Sequence, residues 1–352
     1  MALKVGIIGN GGISHCHADG YKALGDRVEI VACCDIDFEK SKKFAEEYGI
    51  KNCYDNCFDM LKENELDLVS VCTWNSAHAE CTIAALGAGC NVICEKPMAM
   101  NTKEALQMKE AAEKNGKLLM IGFVRRHGSD ASTALGLNKN GDLGEIYYAK
   151  ATYLRRCGFP GGWFGDKSRS GGGPLIDLGV HVIDLSRYIM GNPKPVTVFG
   201  ATFNKIGARD HIKTTEWESE TKVEKPIFTV EDLASAMIRF DNGAVLQVEA
   251  SFNLNTKKGI GNLEFFGNKA GLSLEPFELH TEYNNRLADI AIYGETNFDF
   301  SRDFKREIKN FVDAVEGKAQ CKATAEDGVE LMRILDAIYL SAETGRSVDI
   351  TR

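Results

Sequence analysis

The chain has 352 residues, 44% of them hydrophobic and 26% charged, a balance ordinary for a globular protein and long enough for two cores. Its formal net charge of −8, with no basic run interleaved with aromatics, argues against a nucleic-acid partner. No apolar stretch reaches the roughly 18 residues of a membrane span, and a first strand starting at Leu3 leaves no room for a signal peptide, so the expected location is the cytoplasm.

Leu3 to Ile8 is a short β-branched apolar run, and Gly9-Asn10-Gly11-Gly12-Ile13-Ser14 follows it directly. Helical periodicity then runs through Ala18, Tyr21 and Leu24. Strand, glycine turn and helix start, in that order, build a dinucleotide phosphate site. Gly9 allows the tight turn, Gly11 lets backbone amides approach a pyrophosphate, and the turn from Gly9 through Ile13 is the candidate cradle. Ser14 stands where a third glycine or alanine is usual. A second strand, Val28 to Cys34, ends at Asp35. A carboxylate there accepts ribose hydroxyls and repels a 2′-phosphate, which favours NAD over NADP.

Strands are further predicted at 67–73, 91–95 and 118–123, and helices at 13–24, 37–48, 55–64, 77–88 and 102–115. This alternation predicts a doubly wound parallel sheet with right-handed crossovers, covered on both faces. Ligands of such sheets sit beyond the carboxyl ends of the strands, where Asp35, Thr73, Glu95 and Lys96 converge. The stretch Trp74-Asn75-Ser76-Ala77-His78 leaves a strand and begins a helix, which puts Trp74, Asn75 and His78 over the cofactor as well. Trp74 has packing at the sheet edge as its alternative role.

After about residue 124 the pattern changes. β-rich runs cover 146–157, 196–206, 233–240, 244–254 and 263–266, with Asp241-Asn242-Gly243 as a hairpin-turn signal. Helices are predicted at 174–190, 301–316 and 325–344, and the polar segment from about 207 to 228 reads as a long loop or insertion. The fold class is therefore α/β: a nucleotide-binding domain over 1–124, then an α+β domain over 125–352 with a large, mostly antiparallel open sheet. If helices cover one face of that sheet, the other needs a partner. A homodimer or homotetramer through the sheet is expected.

Two stretches carry the chemistry. Glu95-Lys96-Pro97 ends a buried strand, and three glycines from Gly171 lead into Asp177, His181 and Asp184. At i, i+4 and i+7 those three side chains share one helix face, with the imidazole between two carboxylates. A fixed lysine plus an oriented histidine is what proton transfer to or from a hydroxyl requires. Arg125, Arg126, Arg155, Arg156 and Trp163 are candidate substrate contacts, or alternatively braces between domains. The eleven cysteines, with His15-Cys16-His17 and two C-x3-C spacings, invite a zinc reading. Cys90 and Cys94 bracket a strand rather than a knuckle, however, so reduced thiols and no metal are expected.

The chain resembles the Gfo/Idh/MocA family of NAD(P)-dependent oxidoreductases, which act on sugars, inositols and related polyols. The resemblance rests on GNGGIS, VCTWNSAH, CEKPMA, GFVRRH, SGGGPLIDLGVHVIDL and the tail AEDGVELMRILDAIYLSAETGRSVDI. It departs from the family at Ser14 and at Trp74, where members often carry proline. It implies a Rossmann domain followed by an open α/β sheet, with NAD as cofactor and a carbohydrate or polyol as substrate. By the same resemblance His181 takes the hydroxyl proton, Lys96 stabilises the reacting oxygen, and Asp177 positions substrate and His181, while Asp184, a turn further on, is a structural acid or, alternatively, a support behind them. Arg126 and Trp163 are the substrate contacts carried with them. Two other functions remain open at this point: glycoside cleavage through transient oxidation on tightly held NAD, and a non-catalytic NAD-sensing regulator.

Overall fold

A computed structural model describes residues 2–209, 211–212, 219 and 227–350. The first part alternates as expected: β1 Leu3–Ile8, α1 Gly12–Lys22, β2 Val28–Cys34, α2 Phe38–Tyr48, β3 Asn52–Tyr54, α3 Cys57–Glu63, β4 Leu68–Val71, α4 His78–Gly87, β5 Asn91–Glu95, α5 Thr102–Asn115 and β6 Leu119–Gly122. These strands form one parallel sheet in the order β3-β2-β1-β4-β5-β6. The order reverses at β1, so the crevice beyond β1 and β4 is the switch point where such sheets bind ligands. Val5, Ile7, Leu68, Val69, Val92 and Ile93 are wholly buried, as strands covered on both faces require. Helix boundaries follow local chemistry. The Asn101 side chain accepts the Glu104 amide while Glu104 reaches back to the Met100 amide, a reciprocal cap that starts α5.

The second part holds α6 Ser129–Lys139, β7 Ile146–Leu154, α7 Lys167–Ser170, a π-helical turn Leu175–Gly179 leading into α8 Val180–Ile189, β8 Pro195–Phe203, β9 Leu233–Phe240, β10 Val245–Ser251, β11 Ile260–Gly267, β12 Ala270–Leu274, β13 Phe277–Tyr283 and β14 Arg286–Ala291. α9 Phe300–Val315, α10 Ala325–Thr344 and β15 Val348–Asp349 complete the chain. Its sheet has the order β14-β13-β12-β11-β7-β10-β9-β8-β15, antiparallel throughout except where β7 and β10 run parallel. β9 alternates strictly. Ala234, Ala236, Ile238 and Phe240 point inward, and Met237 and Arg239 outward.

Two compact units result, one of residues 1–124 with 299–332 and the other of 125–298 with 333–352. The helix predicted at 301–316 thus joins the first unit, because α9 buries Phe304, Ile308 and Phe311 there, with Ile308 against Gly20 of α1. Apolar burial of three such side chains is worth about 1.5–3 kcal/mol each. The expected loop over 207–228 lies largely outside the described residues. Strands β3 and β12 to β14 and helix α6 were not foreseen. Where a continuous strand to Cys157 was expected, β7 stops at Leu154 and only an isolated Cys157–Asn253 bridge continues.

Candidate active site

In the first unit the glycine turn is pinned from three sides. The Gly9 amide donates to Cys34 O at 2.8 Å, and the Asn10 amide donates to Asp35 Oδ2 at 2.8 Å. Gly9 adopts φ +87, and a Cβ there would stand 2.7 Å from the Cys72 backbone, so only glycine serves. Asp35 Oδ1 also accepts the Asp37 amide at 2.9 Å, which fixes the acid at the tip of β2. Ser14, in place of the third glycine, is buried and donates Oγ–H to Gly11 O at 2.6 Å. It tightens the turn.

The turn is shaped for a ligand that this chain does not itself provide. Gly11 caps α1 with no side chain to take the first amides, and a Cβ on it would meet no other atom within 4 Å. The Asn10 side chain is 5% exposed, and neither its oxygen nor its nitrogen has a hydrogen-bond partner in the protein. Exposed helix-start amides, an orphaned buried amide group and a pinned carboxylate fit the pyrophosphate and ribose of a dinucleotide. Gly9, Asn10, Gly11, Gly12, Ile13 and Asp35 would hold it.

Beyond β4, Trp74 is half-buried and Asn75 buried, at the start of a short helical turn, Asn75–Ala77. His78 corrects the sequence-based expectation. It is 1% exposed, with Nδ1 2.7 Å from Pro97 O and Nε2 3.1 Å from Thr73 O. Burial holds its pKa below the ordinary histidine range. The neutral ring has one N–H, and the shorter contact marks Nδ1 as its donor. His78 clamps the Lys96-Pro97 loop to the end of β4 rather than facing a cofactor. Glu95 is likewise turned inward: Oε1 meets His17 Nε2 at 3.0 Å, and Oε2 accepts the Lys96 amide at 3.1 Å. Lys96 itself is half-buried.

In the second unit, the glycine run is dictated by close approach. A Cβ on Gly172 would lie 2.0 Å from Tyr339 Oη, and one on Gly173 2.2 Å from Glu231 O. The Glu231 carboxylate accepts the Leu175 amide at 3.2 Å and the Tyr339 hydroxyl at 3.0 Å, which anchors the helix start. Within Leu175–Ile189 only Asp177, His181 and Tyr188 escape full burial. Two of those three are the predicted proton-transfer pair.

Asp184 is an internal acid that holds Arg126. It is buried, with Oδ2 accepting Arg126 Nε–H at 2.9 Å and Oδ1 accepting Nη2–H at 2.6 Å. Through Leu175–Gly179 the turn is π-helical, with the Val180 amide reaching back to Leu175 O. That wider turn sets Asp177 off the α-helical spacing on which the shared face was predicted. Arg126, expected at the substrate, is 1% exposed and lies 4.8 Å over the Tyr188 ring as well as on Asp184. Its guanidinium braces the helix. Arg155 bonds Gly158 O at 2.9 Å, while Trp163 is half-buried and stacked on Phe164 at 4.1 Å.

The sequence reading weighed His17 only as a zinc ligand and passed over Ser70 and Glu307, which meet it behind Glu95. The signal was present: Ser14, His17 and Tyr21 recur at helical spacing on the buried face of α1.

A parallel sheet with its glycine turn at the switch point and an acid at the tip of β2 defines an NAD-binding oxidoreductase. The chain belongs to the Gfo/Idh/MocA oxidoreductase family. The model of its NAD-binding Rossmann fold matches residues 3–123, and that of its C-terminal alpha/beta domain matches residues 138–350. It is similar to a D-glucoside 3-dehydrogenase of Escherichia coli (strain K12), 39% identical over 352 residues and covering 99% of this chain and 97% of the relative. A levoglucosan dehydrogenase of Pseudarthrobacter phenanthrenivorans is 28% identical over 394 residues, covering 99% and 98%. Among solved structures, a levoglucosan dehydrogenase in complex with NADH and levoglucosan superposes with a TM-score of 0.85 at 25% identity, covering both chains fully. No helix among the described residues is long and apolar enough to cross a membrane.

Proposed function

We propose that the enzyme oxidises a secondary ring alcohol of a glucoside, at carbon 3, with NAD as acceptor. The observation that carries this is that Asp177 and His181 are only half-buried on a helix that, Tyr188 apart, is buried; the substrate rests on the D-glucoside 3-dehydrogenase relative. Bound NAD supplies the hydride acceptor. His181 takes the hydroxyl proton as the carbon–hydrogen bond breaks, and Lys96 donates a hydrogen bond to the reacting oxygen as charge develops there. Asp177 holds His181 and the substrate and supports the imidazolium. Trp163 offers an indole face to the sugar. Asp35 favours NAD over NADP, because a 2′-phosphate would meet its carboxylate.

Initial rates of NADH formation across methyl glucosides, free hexoses, uronates and inositols test the reading. The fastest substrate should be a glucoside, and NADP should be a poorer acceptor than NAD. An inositol or uronate as fastest substrate overturns the substrate class. Cleavage of the glycoside without net NADH would instead identify transient oxidation.

The large sheet supports self-association. Phe199 of β8 and Met237 of β9 are paired in register and stand 53% and 52% exposed on its outer face. A homodimer or homotetramer through this face covers them. Met237→Glu should lower the mass measured by light scattering, and an unchanged mass contradicts the assignment. All eleven cysteines are free thiols, which supports a reducing compartment such as the cytoplasm.

A further inference from the structure

Behind Lys96 lies a buried polar chain with no assigned role. Glu95 can only accept at Oε1, so His17 Nε2 carries the hydrogen in their 3.0 Å contact. Its Nδ1 lies 3.0 Å from Ser70 Oγ, which lies 2.9 Å from Tyr21 Oη. The chain ends at the Lys96 amide on Glu95 Oε2. One more acid faces it. Glu307 of α9 is wholly buried, and neither carboxyl oxygen has a hydrogen-bond partner among the described residues. Its carboxyl, Glu95 and His17 offer atoms within 4.8 Å of one another.

Two buried carboxylates so close cannot both be ionised without a compensating positive charge. A divalent cation ligated by His17 would need the Nε2 lone pair, which the hydrogen bond to Glu95 already occupies with a proton. The geometry therefore points to a proton. We propose that Glu307 is a positioning residue that stays a neutral carboxylic acid, leaving Glu95 as the single charge that ties His17 to the Lys96 backbone. This rests on the proposed role of Lys96.

Burial and the Glu95 charge both push the Glu307 acid well above its ordinary range. Besides His17 and Glu95, the titratable groups Cys16, Tyr21 and Cys72 face it. Cys16 of α1 is pushed up to about 11 by burial, and Tyr21 and Cys72 are raised by burial too. The sign follows from linkage. An acid raised in the folded state holds a proton that the unfolded chain has released, so stability falls as pH rises past the unfolded value near 4.5.

Thermal unfolding of the parent and Glu307→Gln across pH 5 to 8, on the order of one melt per pH unit, tests this without any activity readout. The glutamine variant should gain on the parent steadily as pH rises, and a constant difference overturns the proposal. Its kcat at neutral pH should stay within about twofold of the parent, because a neutral group is retained. A loss beyond about tenfold with intact folding would mean that the ionised form is needed. A stoichiometric divalent metal in the purified parent, found by elemental analysis, would also overturn it. Should Lys96→Ala keep full activity while the melts behave as expected, the role of Lys96 fails and the neutral state of Glu307 stands.

Discussion

Replacing His181 with glutamine should leave a folded, NAD-binding protein whose kcat on its sugar falls by about two to four orders of magnitude. The size of the effect follows from what is removed. Glutamine keeps the shape and a hydrogen bond but cannot take a proton, and alkoxide formation then has only water as its base. Because His181 is half-exposed on a helix whose other faces are buried, the substitution disturbs little packing. The KM for NAD should change far less than kcat, since the cradle from Gly9 to Asp35 belongs to the other unit. Steady-state kinetics beside a melting curve checks both points. Full turnover in the folded variant would remove His181 from the chemistry.

Asp184→Ala should give the largest loss of stability, about 3–5 kcal/mol, because it strands the Arg126 guanidinium in the interior. Two short hydrogen bonds from one fork to one carboxylate hold that buried charge, and the substitution removes that anion from beside it. The double variant Arg126→Met with Asp184→Leu removes both charges and should return to within about 1 kcal/mol of the parent. Urea unfolding of the parent, the single and the double variant separates the two cases. A single variant as stable as the parent would show that the pair does not brace α8. Neither residue touches the reacting atoms in this account, so activity per folded molecule should change much less than in His181→Gln.

What could be read without coordinates depended on how local the determining physics is. The first sheet, β3 apart, was legible because its strands are continuous apolar runs and helices such as α5 start on a local cap, Asn101 with Glu104. β13 was not, because Phe277-Glu278-Leu279-His280-Thr281-Glu282-Tyr283 is mostly solvent-facing and its polar residues mask the alternation. α6 buries only Asp130, Ala131 and Ala134 and has almost no apolar stripe. The placement of α9 in the first unit depends on Ile308 meeting Gly20, a contact no local pattern encodes.

The site divides in the same way. The glycine turn and Asp35 are sequence-local, so they were visible. His78 and Arg126 were assigned from residue type, but type does not reveal burial. A histidine between two carbonyls and an arginine on an internal carboxylate read like functional groups until their surroundings are known. The π-helical turn at Leu175–Gly179 had no sequence signal.

The central claim is that a hydride leaves carbon 3 of a glucoside for the nicotinamide. A glucoside deuterated at that carbon alone, incubated with the enzyme and NAD, tests it by mass spectrometry of the reduced cofactor. The account predicts that the cofactor gains the deuterium and that the sugar becomes the 3-keto product. Unlabelled NADH, or a keto group at another ring carbon, would contradict it.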